Sequence, residues 1–296
     1  MEFRVLQYFL AVAREQSISR AAEFLHLSQP TLSRQLKDLE EELGKQLFIR
    51  GNRNITLTEE GMILRKRAEE ITELVRKAEQ EISCNNDIIT GDIYIGAGET
   101  EVIKIIARVA QKIQQMHPQV HIHIVSGDTE YVTEQLDKGL IDFGLVFEPT
   151  ELSKYNYKQL PYRDVWGVLM RKDSPLSSKQ TVCPSDLWDK PLIISRQGRD
   201  GYVLPVWMQK NLSELNIVAT YSLLYNGSIL VNEGIGYALC LDKIINTTGN
   251  SNLCFKPLNP KLEIGMNIIW KKYQVLSKAN ELFLNFLTEI IQPITS

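Results

Sequence analysis

The chain has 296 residues, 44% hydrophobic and 23% charged, with a formal net charge of −3. That length exceeds one ordinary core and suits two or three domains. The charge excludes a polycation, so any contact with nucleic acid must come from a local patch. No apolar run approaches the roughly 20 residues of a membrane span. Met1–Arg4 leads straight into amphipathic sequence rather than a signal peptide, so a cytoplasmic location is expected. Cys84, Cys183, Cys240 and Cys254 show neither close pairing nor Cys-x-x-Cys spacing and read as reduced thiols.

The first element is LQYFLAVARE, a helix with Leu6, Phe9, Leu10 and Ala13 on one stripe. SISRAAEFL follows, capped by Ser17 or Ser19, with Ala21, Ala22 and Leu25 turned inward. A few residues around His26-Leu27 separate it from a third helix. There Leu32, Leu36, Leu39 and Leu43 step by four, three and four. Ser28 is placed to cap this helix, Pro30 fits its first turn, and Gly44 can end it in a left-handed conformation. Three helices with a tight turn between the last two are the shape of a helix-turn-helix. In that shape the third helix enters the DNA major groove. Gln29 suits adenine and Arg34 guanine; Ser28, Thr31 and Ser33 suit phosphates or bases, and Lys37 a phosphate. A merely solvated polar face has the same spacing, and the charge of the region is nearly balanced.

The run AAEFLHLSQPTLSRQLKDLEEELGKQLFIRGNRNITLTEEG resembles the N-terminal motif of the LysR-type transcriptional regulators almost position for position. The match includes Ala21-Ala22, Ser28-Gln29-Pro30, Leu32-Ser33, Leu47-Phe48, Arg50 and Leu57-Thr58. The resemblance implies that Gln29, Pro30, Thr31, Ser33 and Arg34 face double-stranded DNA. It also implies a winged fold whose wing spans Arg50 to Asn54, with Arg53 along a phosphate or in the minor groove.

From Thr58 onward Leu64, Ala68, Ile71, Val75, Ala78 and Ile82 form a narrow seam, with mixed charges elsewhere. So regular a seam points to a partner helix and therefore a homodimer. Two recognition helices would then meet half-sites about one helical turn, or a multiple, apart. The resemblance also implies dimerisation through this helix, and a homotetramer above it.

Asn85-Asn86-Asp87 marks a break, after which strands alternate with helices. Strands are expected at Ile93–Ile95, VHIHIV and IDFGLVF, and helices through Ile103–Ile113 and TEYVTEQLDKG. Beyond Pro149 further strands are expected at Trp166–Met170, Leu192–Ser195, Ile217–Thr220, Tyr237–Leu241, Leu253–Pro257 and Ile264–Trp270. SKANELFLNFLTEII closes the chain as an amphipathic helix.

The expected fold class is therefore an all-α winged helix-turn-helix N-terminal domain, residues 1–58, a linker helix, 59–87, and an α/β domain, 88–296. The last has two lobes: lobe I at 88–161 and 267–296, and lobe II at 162–266. It is similar to the family's effector domain, which looks like the bilobed periplasmic binding proteins with a small ligand between the lobes. In such sheets ligands sit beyond the carboxyl ends of strands, near helix N-termini. By that likeness Thr100, Ser126, Thr129, Phe147 and Ser195 are effector-binding candidates, and Arg196 joins them by position. Arg196 and Arg199 favour an anionic or zwitterionic effector; Glu99 opposes one.

Other chemistries find little support. GAGET carries Glu101 where a dinucleotide fingerprint needs its third glycine. His121 and His123 share a strand face without a completing ligand pair, so no metal or cofactor is expected. No Gly-x-Ser-x-Gly elbow or nucleophile set appears, so no enzyme and no catalytic residue is expected. Peroxide-sensing relatives use cysteines where this chain reads SRQGRDGYVLP, which has none. A solute-binding protein would leave the N-terminal helices unexplained.

Overall fold

The computed structural model describes residues 1–51, 54–83, 89–196 and 203–291, and the backbone alone at Arg50, Gln80, Glu81 and Ser83. The chain divides into two units, Met1–Cys84 and Asn85–Ser296.

The first unit opens with α1 (Phe3–Glu15), α2 (Ile18–Phe24) and α3 (Gln29–Leu43). Serines start the second and third helices: Ser17 Oγ accepts from Arg20 N–H and Ser28 Oγ from Thr31 N–H. Gly44 ends α3 with φ +63°, the conformation that glycine adopts without a Cβ penalty. The turn between α2 and α3 is closed by Leu27 N–H donating to Ala22 C=O at 2.9 Å. Leu32, Leu36 and Leu39 are buried beside Ala21 and Ala22. Leu43, expected on the same stripe, is 41% exposed, because the packed cluster ends at Leu39. On α1 the buried face is Val5, Leu6, Phe9, Ala11 and Val12, with Leu10 and Ala13 only half-buried. This helix packs against α2, α3 and the next long helix, so one stripe is too narrow to describe it.

A two-stranded ribbon follows, β1 (Phe48–Arg50) antiparallel to β2 (Ile55–Leu57). Glu40 fixes it to α3: its carboxylate accepts from Leu47 N–H at 2.7 Å and Phe48 N–H at 3.2 Å. Helix α4 (Glu59–Ser83) leaves from Thr58, whose hydroxyl donates to Gln46 C=O and accepts from Gly61 N–H. A Cβ on Gly61 would stand 2.2 Å from the Leu47 carbonyl oxygen, so only glycine allows α4 to start this close to the ribbon. The seam of α4 divides in two. Leu64 and Ala68 pack into the helical core of their own unit, whereas Ile71, Leu74 and Ile82 are exposed.

The second unit is built on a nine-stranded sheet in the order β4-β3-β5-β11-β6-β9-β7-β8, with β10 also paired to β6. Its first half comprises β3 (Gly91–Ala97), β4 (Val120–Ser126) and β5 (Phe143–Phe147), mutually parallel where they pair. Helices cover both faces, as a parallel sheet requires. α5 (Ile103–Met116) and the last helix of the chain (Lys278–Ile291) share one core, and α6 (Thr129–Asp137) covers the other face. The second half contains β7 (Leu192–Ser195), β8 (Ile217–Tyr221), β9 (Tyr237–Leu241) and β10 (Leu253–Pro257). Helices Val203–Met208 and Leu224–Asn232 pack on its opposite faces.

Two long strands join the halves. β6 runs 17 residues, Tyr155–Arg171, and β11 runs Glu263–Lys271 antiparallel to it. Their ladder breaks between Gly265↔Arg163 and Asn267↔Gln159, which leaves Pro161 inside the irregularity. Proline has no N–H to give a ladder, so the crossing between lobes falls where one can be missing.

Candidate functional site

Two surfaces carry the sequence-predicted residues. On α3 the buried leucines set the opposite face, and Ser28, Gln29, Pro30, Thr31, Arg34 and Lys37 are all exposed there. Ser33 is half-buried. The Ser28 and Thr31 hydroxyls lie 2.7 Å apart, which holds the first turn. Arg34 reaches Asp38 only at 3.9 Å with 83% of its side chain exposed; Lys37 pairs with Glu41 at 3.2 Å, also in solvent. Exposed i,i+4 pairs contribute about 0.3–0.5 kcal/mol, so both cations can exchange these partners for a phosphate or base at little cost. Arg50 sits in β1 opposite Ile55, its side chain outside the described residues, as is Arg53 entirely.

The second surface is a cavity of about 540 Å³ in the Asn85–Ser296 unit, walled by residues of both sheet halves. Of the expected pocket residues it brings together Thr129, Phe147, Ser195 and Arg196. Thr100 and Ser126, expected there too, are not on its wall. Thr100 is buried; its hydroxyl accepts from Val102 N–H at 3.1 Å and donates to Asp164 Oδ2 at 2.5 Å. It therefore braces the turn before α5 and ties lobe I to the crossing strand β6. Ser126 ends the edge strand β4, and the wall begins only at Gly127. Arg199, also invoked for ligand charge, lies outside the described residues.

Sequence reasoning missed much of the wall. Glu148, Trp166, Tyr221, Leu241 and Ile264 line it from strands or strand ends. Their only advance signal was position at a strand terminus, which many other residues share. The Trp166 indole N–H is buried with no partner among the described residues, and Tyr221 O–H donates to Leu239 C=O at 2.8 Å. Burial raises the Tyr221 phenol well above its ordinary pKa, with smaller contributions from Cys240 and Glu99. Asp164 behind the wall is likewise raised, first by burial, against the lowering effect of the Thr100 bond.

Among the described residues no group of three or more potential ligands could hold a metal ion. His123 instead lies 3.2 Å from Asp92 and stacks on Tyr94 with ring centroids 4.6 Å apart. No helix among the described residues is long and apolar enough to cross a membrane.

Known families match both units. Residues 3–62 match "Bacterial regulatory helix-turn-helix protein, lysR family", and residues 87–292 match "LysR substrate binding domain". The chain belongs to the LysR family. It is a LysR-type DNA-binding transcriptional regulator with an effector-binding domain, in a family of regulators rather than enzymes. Among curated LysR-type relatives, the Hca operon transcriptional activator HcaR of Escherichia coli (strain K12) is 26% identical over 302 residues, covering 100% of both chains. The regulator BsdA of Bacillus subtilis (strain 168) is 33% identical over 198 residues, 66% of this chain and 67% of that one. Among solved structures, full-length CbnR in complex with its target DNA superposes with a TM-score of 0.76 at 19% identity. That likeness covers 98% of this chain and 100% of CbnR, and establishes the shared LysR fold.

Proposed function

We propose that this regulator binds a pseudo-palindromic DNA site as a homodimer joined through α4, and that a small molecule between the two lobes modulates it. Gln29, Ser33 and Arg34 read bases. Ser28, Pro30, Thr31, Lys37, Arg50 and Arg53 hold the backbone and the wing against it. The carrying observation is the division of α3: Leu32, Leu36 and Leu39 are buried while Ser28–Thr31, Arg34 and Lys37 stand in solvent. That row lies at the N-terminal end, the part of a recognition helix that reaches base edges. The exposed Ile71, Leu74 and Ile82 on α4 support the dimer. The cavity shared by two sheet halves supports a ligand that bridges them.

Pairing of dimers into a homotetramer belongs to the same reading. A ligand that binds two arrangements of the lobes unequally would shift how the dimers pack and how the DNA bends. The regulator then works in the cytoplasm, beside the chromosome. HcaR is named an activator, and CbnR has been solved on its target DNA. Both agree with a DNA-bound regulator and leave the direction of control to experiment.

The test is selection of genomic fragments by the full-length chain, followed by titration of the selected fragment in increasing salt. The expected result is one preferred fragment, with log K falling by about 0.9 per phosphate contact for each decade of salt. Uniform weak binding to every fragment would overturn the assignment of α3 as a reader.

A further inference from the structure

In this type of fold an anionic ligand is held by free backbone N–H groups where helices begin at the cleft. Here one such N–H at each of two helix starts is taken by the chain itself. Glu99, from the loop after β3 in lobe I, accepts from the N–H of Leu224, the first residue of helix Leu224–Asn232 in lobe II. That helix has no side-chain cap of its own, because its N-cap is Leu223. Asp128 does the same for α6, accepting from Tyr131 N–H at 2.9 Å. Both carboxylates are on the cavity wall.

Glu130 and Glu148 join them, so the described wall carries four carboxylates against the single guanidinium of Arg196. Glu148 is partly offset by Arg163 at 3.6 Å and by Gln159 Nε2, which donates to it at 2.8 Å. Glu130 is exposed and makes no ion pair among the described residues. A ligand carboxylate would enter a like-charged cavity and compete with Glu99 and Asp128 for the N–H groups they already hold. A cation would meet carboxylates and, from Phe147 and Trp166, aromatic side chains whose faces attract positive charge. Leu241 and Ile264 add apolar surface for the rest of the molecule.

Resting on the reading of the cleft as the effector site, we infer that the cavity takes an organic ammonium compound, an amine on an apolar or aromatic body, and excludes simple carboxylates. This departs from the anionic or zwitterionic effector expected from Arg196 and Arg199, the second of which lies outside the described residues. That expectation weighed Glu99 as a charge and could not see it and Asp128 folded onto helix starts.

The experiment measures the sign of the potential directly. Ser222 lines the cavity with no charged neighbour in sequence. Full-length Ser222→Cys is made with Cys84→Ser, Cys183→Ser and Cys254→Ser. Cys240 stays, since it is buried and burial holds its thiol far above the ordinary range. Modification rates are compared for two methanethiosulfonates, one bearing trimethylammonium and one bearing sulfonate, each normalised to 2-mercaptoethanol.

A local potential of about −1 kT, modest against the several kT that charged clefts reach, makes the cationic reagent faster by about sevenfold. Adding Glu99→Gln and Glu148→Gln should bring that ratio toward one. The Glu99→Gln amide oxygen still accepts from Leu224 N–H, so the fold is kept. A starting ratio at or below one overturns the ammonium inference and leaves the effector cleft standing. Failure of both reagents to modify the folded chain removes the accessible cleft, and with it both readings.

Discussion

Ile71→Asp is expected to leave the chain monomeric at micromolar concentration and to lower its affinity for a two-half-site operator by about 10²–10⁴-fold. The reason lies in how α4 is divided. Leu64 and Ala68 are consumed by the helical core of their own unit, so they cannot hold a partner. The remaining seam starts at Ile71, and this side chain with Leu74 and Ile82 is exposed in the single chain. Ile71 is 36% exposed in the single chain, so burying the remainder contributes about 0.5–1 kcal/mol, and a symmetric dimer loses it twice. An aspartate at the same place must also be desolvated, which adds several kcal/mol unless it is neutralised. Once the chains part, each half-site is bound alone and the gain from tethering disappears. Sedimentation equilibrium reads the first effect and a gel-shift titration the second. Lys66→Gln, off the seam on the same helix, should leave a dimer. Ile71→Asp that sediments as a dimer and binds the operator normally would place the interface elsewhere.

Arg34→Ala should cost about 1–3 kcal/mol per half-site, with the loss concentrated at one base-pair position. Its guanidinium has nothing to lose on the protein side, since Asp38 is 3.9 Å away and both side chains are in solvent. The substitution should therefore leave the melting temperature nearly unchanged while flattening discrimination at that position. Lys37→Ala provides the contrast: a phosphate contact weakens binding to all sequences alike and reduces the salt slope by about one. Competition gel shifts with every base at each operator position separate the two patterns. An Arg34→Ala protein with unaltered base preference would remove Arg34 from the readout.

Local chemistry made some parts of the molecule legible before the fold was known. Ser28 and Pro30 at one end and Gly44 at the other delimit α3 through hydrogen bonds and φ angles that each involve only nearby residues. Strand–helix alternation likewise located most strands of the second unit, because apolar runs and turn residues sit side by side. What escaped depended on distant partners. The strand β6 was read only in part, since Pro161 argues against a continuous strand until its break opposite β11 is known. Thr100 has the composition and location of a ligand-binding residue, but Asp164, 64 positions away, occupies its hydroxyl. Glu99 was legible as a charge opposing an anion, and it reaches a helix 125 positions along the chain. Leu43 kept its heptad spacing after the core beside it had ended.

Hydroxyl-radical footprinting on the fragment selected from genomic DNA tests the central account most directly. Two recognition helices held by paired α4 helices should protect two segments on one face of the duplex, centred about 10 base pairs, or a multiple of that, apart. Both should vanish together in Ile71→Asp. A single protected segment, or two that survive that substitution independently, would contradict a dimer that sets the spacing of its own binding site.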